Sequence, residues 1–245
     1  MNDTATKKRA GLLESAMLKL FTRSANVLDV EDIGDHFRLI TLGGDALKNV
    51  QWTPGDKLQI QLGGWAQRTY TPMEWDAENG RTRVLAYMHG DAPGANWARA
   101  LRKGEDCIVF GPRKSIDLTQ LGFSDAVLFG DETSFGLAAA RVNITQSEKT
   151  HLLFEVSSLA ESKVVLAKLG LGESIVHERA GNDAQQLALE EKMLAVLQAK
   201  PNARVVLSGK ASSIQHMHQL LKRLSIGSNR FQTKAYWAPG KTGLD

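Results

Sequence analysis

Up to about residue 112 the chain alternates apolar and polar positions in short runs, and beyond about residue 125 apolar runs alternate with longer helical stretches. In the first part the pattern predicts six strands, at residues 25–31, 36–43, 57–63, 67–75, 82–89 and 106–111, with glycine-rich turns between them. That is the pattern of a small antiparallel β barrel. In the second part, predicted strands at Ala126 to Phe129, Leu152 to Val156, Ser174 to His177 and Val205 to Leu207 alternate with helices at Leu137 to Thr145, Leu187 to Gln198 and Ile214 to Leu224. Such alternation implies an α/β unit with a parallel sheet and right-handed crossovers. The expected division is a barrel domain over 25–122 and an α/β domain with a C-terminal tail over 123–245. Ahead of them, Leu12, Leu13, Met17, Leu20 and Phe21 fall at helical spacing, so residues 1–24 read as a short packing helix. There is no internal repeat or low-complexity tract.

Composition narrows the function classes. The 245 residues, 42% of them hydrophobic, are enough to build two cores. A net charge of +3 without an array of basic and aromatic residues does not point to nucleic acid. The single Cys107 excludes an internal disulfide and cannot supply the thiolates of an iron–sulfur cluster, and a cytoplasmic setting is expected. Lys7, Lys8 and Arg9 precede an apolar run that Glu14 and Lys19 interrupt, so neither a signal peptide nor a membrane span is predicted. His216 and His218 are two apart on a predicted helix and point to different faces, while His89 and His177 lack partners at ligand spacing. No metal site is expected. Nor is there a nucleophile and base constellation.

The chemistry concentrates in a few segments. On a strand, Arg68 and Tyr70 share one face and Thr69 and Thr71 the other. Arg68 can fork onto a phosphate while Tyr70 covers a flat ring, and the Thr71 amide remains available to a ring heteroatom. The same residues can also form a plain cross-strand pair on an exposed strand. Shortly after comes Gly90-Asp91-Ala92-Pro93-Gly94-Ala95-Asn96-Trp97, in which Pro93 suits the first turn of a helix. Free amides at that start attract anions, and Gly94 and Ala95 let a pyrophosphate come close. Alternatively this is a loop and a short helix with Trp97 in the core. Taken together, the two segments suit a flavin ring and its phosphates. Further on, Gly130-Asp131-Glu132-Thr133 follows an apolar strand and opens a helix, where open α/β sheets bind ligands. It lacks the Gly-x-Gly-x-x-Gly fingerprint, so an exchanging nicotinamide fits better than a tightly held one. The alternative is that Asp131 and Thr133 only cap the helix.

In order, Arg68-Thr69-Tyr70-Thr71, His89-Gly90, Pro93-Gly94-Ala95 with Trp97-Ala98, Gly104-Glu105-Asp106, Gly111-Pro112, Gly130-Asp131-Glu132-Thr133 and Tyr236-Trp237 give the chain its resemblance to a known family. Over about residues 25–240 it resembles the siderophore-interacting proteins, flavin-dependent ferric-siderophore reductases related to ferredoxin-NADP reductases. The resemblance implies FAD on the barrel, NADPH or NADH approaching through the α/β domain, and reduction of chelated ferric iron. The flavin carries the chemistry, so no catalytic side chain is implied. By position, Arg68, Tyr70 and Thr71 would hold the flavin, and His89, Gly90, Gly94 and Ala95 its diphosphate side. Thr69, Pro93, Asn96 and Trp97 complete that set, while Asp131, Glu132 and Thr133 would face the nicotinamide. Tyr236 and Trp237 would lie over the flavin, with a core role for Trp237 equally open. Of the basic residues, Arg113, Lys114, Lys234 and Lys241 are candidates for an anionic ferric siderophore. Ferredoxin is an alternative electron partner, binding without turnover is a third reading, and a monomer is expected.

The sequence departs from the family pattern at several points. Pro72 and Met73 stand where a second Arg is usual, the small-residue loop is one residue short, and Asn96 replaces a common Ser. A modest FAD affinity follows. The usual Ala-Leu-Pro becomes Ser134-Phe135-Gly136, and the usual Gly-Glu becomes Gly209-Lys210, so the nicotinamide side departs further than the flavin side.

Overall fold

The computed structural model describes residues 22–63, 66–122, 124–145, 149–179 and 183–241. The helical spacing from Leu12 to Phe21 lies outside them, and Thr22 already opens the first strand. Seven strands form one antiparallel sheet: β1 (Thr22–Ile33), β2 (Phe37–Gly43), β3 (Lys57–Gly63), β4 (Ala66–Tyr70), β5 (Glu74–Asp76), β6 (Arg81–Tyr87) and β7 (Asp106–Arg113). Their order is β4-β3-β7-β1-β2-β6-β5. The count exceeds the expected six because the run 67–75 is two strands, β4 and β5, parted at Thr71-Pro72-Met73. Pro72 has no N–H to donate to a ladder, so β4 stops before it.

The sheet curls around Val27, Ile40, Leu42, Leu58, Ile60, Val84 and Val109. In β6 the inward residues are Thr82, Val84 and Ala86, which leaves Leu85 and Tyr87 on the opposite face. Helix α1 (Pro93–Ala100) packs Ala95 and Ala98 against this core. Its far end is held by the buried Arg38 of β2. The Arg38 Nη1 donates to the carbonyls of Ala98 (2.6 Å), Arg99 (3.0 Å) and Leu101 (3.2 Å), while Nε and Nη2 fork onto Asp32. The last carbonyls of a helix have no partners of their own, so Arg38 fixes α1 and with it the aim of its N-terminus.

The second sheet is parallel, with β8 (Ala126–Gly130), β9 (Thr150–Val156), β10 (Ile175–Glu178), β11 (Arg204–Lys210) and β12 (Phe231–Trp237) in the order β10-β9-β8-β11-β12. Helices α2 (Phe135–Val142), α3 (Leu159–Lys168), α4 (Asp183–Ala199) and α5 (Ala211–Arg223) connect or flank these strands. Every residue of β8 is buried, as expected of a central strand covered on both faces. The sequence pattern did not predict α3 or β12. Helix α3 buries only Ser162, Val165 and Leu166, and β12 is an edge strand whose Gln232, Thr233 and Lys234 break any apolar run.

The two sheets share a core. Ile33, Phe37, Leu39 and Met73 pack with Phe135, Leu137 and Ala138 of α2 and with Phe154 of β9. The Phe37 and Phe135 rings stack 5.7 Å apart, 4° from parallel, and Phe135 meets Phe154 edge-on at 4.8 Å. A Cβ on Gly136 would lie 3.0 Å from the Thr71 carbonyl oxygen, so α2 starts directly against the end of β4. Polar clasps add to this: Asn143 Nδ2 donates to the Met73 carbonyl at 3.1 Å, and the His36 N–H to Glu161 Oε1 at 2.7 Å. Among the described residues no helix is long and apolar enough to cross a membrane.

Candidate functional site

A cavity of about 390 Å³ opens between the sheets, within the size range of small-molecule sites. Arg68, Thr69, Tyr70 and Thr71 form one wall, His89, Gly94 and Ala95 a second, and Thr133, Tyr236, Trp237 and Lys241 close it from the parallel sheet. Arg68 to Thr71 all reach the cavity, so the expected alternation of faces fails at Thr71. The reason is Pro72: β4 ends at Tyr70, and Thr71 turns so that its hydroxyl lies 3.4 Å from the Tyr236 hydroxyl. The sequence reading missed Gln67, Leu85, Tyr87, Ala92 and Gly136, which also line the cavity. Leu85, Tyr87 and His89 share one parity, so the alternation of β6 carried a signal for the first two.

Other candidates lie off the wall. Gly90 and Asn96 belong to a turn that Arg99 stitches to α1, donating to the carbonyls of Gly90 (2.9 Å) and Met88 (2.9 Å) and to Asn96 Oδ1 (3.1 Å). Pro93 occupies the first turn of α1, as its residue type predicts, and Trp97 packs in the barrel core with its ring 6.1 Å from Tyr70. Arg113 bonds to Gln59, Lys234 sits mid-strand in β12 opposite Ser208, and neither they nor Lys114 line the cavity. Of the four basic candidates, Lys241 alone lines it.

Helix α1 begins without a side-chain cap, so its first amides are open to an anion at the cavity wall. Arg68 lies across this start. A Cβ on Gly94 would meet the Arg68 Cγ at 2.7 Å and Nε at 2.9 Å, so the missing side chain at Gly94 makes room for the arginine stem against the helix start. Among the described residues the guanidinium's one hydrogen bond runs to the Gln67 carbonyl at 3.4 Å. Burial pushes the hydroxyls of Tyr70 and Tyr87 up, and that of Tyr236 to about 12, so all three stay neutral donors. Burial lowers the His89 pKa, with Glu132 partly opposing, and the imidazole is neutral at pH 7.

Asp131 and Glu132 face the interior. Glu132 accepts from the Ser157 N–H at 2.5 Å and from Arg179 Nη2 at 3.1 Å. Asp131, 1% exposed, accepts from the Thr133 N–H (2.9 Å) and hydroxyl (2.5 Å) on Oδ1, and from the Lys210 N–H (2.8 Å) and Trp237 indole (2.7 Å) on Oδ2. Its capping role is real, but it also joins the ends of β8, β11 and β12. A Cβ on Gly209 would sit 2.6 Å from the carboxylate, which explains glycine there. Burial, helped by Glu132 and opposed by the bonds from Thr133 and Trp237, raises the Asp131 pKa from 3.8 to about 6. The folded state therefore keeps a proton that the unfolded chain has released between those values, and folding stability falls as pH rises through that window. Relative to Asp131→Asn, wild type is expected to lose up to about 3 kcal/mol between about pH 4 and pH 7, measured by urea titration. Parallel pH profiles would show that the carboxylate is not desolvated.

Residues 65–116 match the family model of the siderophore-interacting FAD-binding domain. No curated protein sequence matches the chain. Its fold is similar to the siderophore-interacting protein SipS from Aeromonas hydrophila, with a TM-score of 0.73 at 19% identity over 91% of this chain and 93% of that one. A siderophore utilization protein from T. fusca matches with a TM-score of 0.70 at 20% identity over 91% and 95%. Phthalate dioxygenase reductase matches with 0.72 at 12% identity over 90% of this chain and 70% of that one. Residues 65–116 thus match the siderophore-interacting FAD-binding domain, within a chain whose two-sheet fold is similar to that of the siderophore-interacting proteins and of phthalate dioxygenase reductase.

Proposed function

We propose that this chain is an FAD-dependent oxidoreductase that passes electrons from NADPH or NADH to ferric iron held by a siderophore or another chelator. The observation that carries the reading is a single cavity in which Arg68, Tyr70 and the uncapped start of α1, all within the segment that matches the family model, meet Tyr236 and Trp237 from the parallel sheet. The residues fit FAD. A cation and open amides suit its phosphates, and aromatic plates suit its ring. When bound, FAD supplies the ability to take a hydride from a nucleotide and to return electrons singly to iron.

The protein's part is positional. Arg68 and the amides of Gly94 and Ala95 bind phosphate oxygens, and Tyr70 with Tyr236 covers the ring and excludes water. Thr71, with Tyr236 as hydrogen-bond partner, offers a hydroxyl and an amide to a ring heteroatom. Lys241 at the rim attracts an anionic chelate. Hard oxygen chelators hold ferrous iron poorly, so reduction releases the metal. The single Cys107, buried and free, supports a cytoplasmic setting. Exposed Ile108, Val164, Leu187 and Leu224 sit on separate elements, which supports action as a monomer.

One feature favours ferredoxin as the electron source instead, namely the crevice beside β8 that Asp131 and Trp237 close. The anaerobic visible spectrum of the FAD-loaded chain separates the readings. NADH or NADPH is expected to bleach the oxidised flavin band, and a ferric chelate to restore it. Bleaching by reduced ferredoxin alone would move the chain to the second reading. Bound flavin that no donor bleaches would make it a binding protein.

A further inference from the structure

In the parallel sheet, β8 is followed by β9 on one side and by β11 on the other, so the strand order reverses at β8. Open α/β sheets bind ligands in the crevice outside the carboxyl ends of the two strands at such a point. Here that crevice is filled by the chain itself. The Asp131 carboxylate occupies the space that Gly209 leaves, and its Oδ2 accepts from the Lys210 N–H and the Trp237 indole at 2.8 and 2.7 Å. The Trp237 ring lies over the crevice with Lys210 Nζ 5.7 Å and Arg179 Cζ 5.9 Å from its centroid, and with the His89 ring 6.0 Å away. It also forms part of the cavity wall. A pocket-lining aromatic is therefore gripped by a carboxylate that is itself out of the cavity's reach.

We propose that Asp131 is a positioning residue, a latch that holds Trp237 across the carboxyl ends of β8 and β11, so that a pyridine nucleotide enters the crevice only when the Asp131–Trp237 bond opens. The inference rests on the nucleotide-dependent reading above and assigns Asp131 to gating rather than to nucleotide contact. The chemistry of the latch follows from its donors. Two point at each carboxylate oxygen, an arrangement that a carboxylate satisfies and an amide cannot. In Asp131→Asn one pair of donors faces an NH2 group, and the grip on Trp237 weakens. Trp237→Phe removes the same bond from the other end and keeps an aromatic wall. The nearby charges, Glu132 on the same segment, Lys210 from β11 and Arg179 after β10, remain in both variants.

The test compares wild type, Asp131→Asn, Trp237→Phe and the double variant as FAD-loaded full chains oxidising NADH or NADPH. Asp131→Asn is expected to lower KM for the nucleotide several-fold with kcat little changed. Trp237→Phe, which also alters the cavity wall, is expected to lower KM by a similar factor whatever its effect on kcat, and the double to show the KM of the singles because both remove one bond. Effects that multiply, or a raised KM in Asp131→Asn beside an unchanged Trp237→Phe, would overturn the latch. If wild type binds FAD and oxidises neither nucleotide, the donor reading fails, and the latch is then judged on acrylamide quenching of tryptophan fluorescence in FAD-free protein. Asp131→Asn is expected to increase quenching in the wild-type background and to leave it unchanged in the Trp237→Phe background. Equal quenching in wild type and Asp131→Asn would show that no latch exists.

Discussion

Replacing Arg68 by alanine is expected to weaken FAD binding by about 10- to 100-fold while leaving riboflavin binding nearly unchanged. A charge-assisted hydrogen bond contributes roughly 1.5–3 kcal/mol, and each 1.4 kcal/mol is tenfold in affinity. Arg68 is the cation beside the start of α1, and among the described residues its guanidinium makes one long bond, to a backbone carbonyl. Little folding stability therefore rests on it, and the melting temperature should hold within a few degrees. Riboflavin lacks the phosphate, so titration of the apoprotein with both ligands separates a phosphate contact from a ring contact. Equal losses for FAD and riboflavin would place Arg68 on the ring and leave α1 alone to bind phosphate. A fall in melting temperature as large as the fall in affinity would mean that Arg68 acts by supporting Gly94, which its stem covers.

What the sequence made legible follows from which physical signals are local. Strand alternation in β6 and the continuous apolar run of β8 report burial directly, so both elements and the change from antiparallel to parallel architecture could be read from them. Pro93 announced the start of α1 because its fixed φ belongs there. The break at Pro72 carried an equally local signal, and it explains the seventh strand and the turn of Thr71 into the cavity. The edge strand β12 and helix α3 were not legible, since each is half-buried and mixed in polarity along its length.

The site divides along the same line. The Arg68 to Thr71 segment and the α1 start are contiguous motifs, and the structure brings them to one cavity. In sequence Asp131 and Glu132 read as residues facing a nicotinamide, or for Asp131 as a helix cap, because they follow an apolar strand and open a helix. Their direction is set by partners far along the chain: Lys210 and Trp237 for Asp131, Ser157 and Arg179 for Glu132. No local pattern encodes such long-range bonds. Gly209 shows the same limit, since its missing side chain is explained only by a carboxylate 78 positions earlier, at residue 131.

Phe135→Ala is expected to cost about 3–5 kcal/mol of folding stability, the range for truncating a buried phenylalanine. That is a large share of the roughly 5–15 kcal/mol that stabilises a domain. Phe135 is fully buried between Phe37 of the antiparallel sheet and Phe154 of the parallel one, so the vacated space lies in the core that both sheets share. Phe135→Leu, which restores the residue usual in the family pattern, should cost less than about 1.5 kcal/mol because it keeps most of the apolar volume. The alanine variant should also bind FAD more weakly. Phe135 is next to Gly136, whose backbone lies against the Thr71 carbonyl, and loosening α2 lets that cavity wall move. Urea titration followed by far-ultraviolet circular dichroism and by tryptophan fluorescence tests both parts. One coincident transition is expected in wild type, since a continuous core couples the sheets. Two separated transitions, or a loss below about 1 kcal/mol in Phe135→Ala, would mean that the sheets fold independently and that Phe135 supports α2 alone.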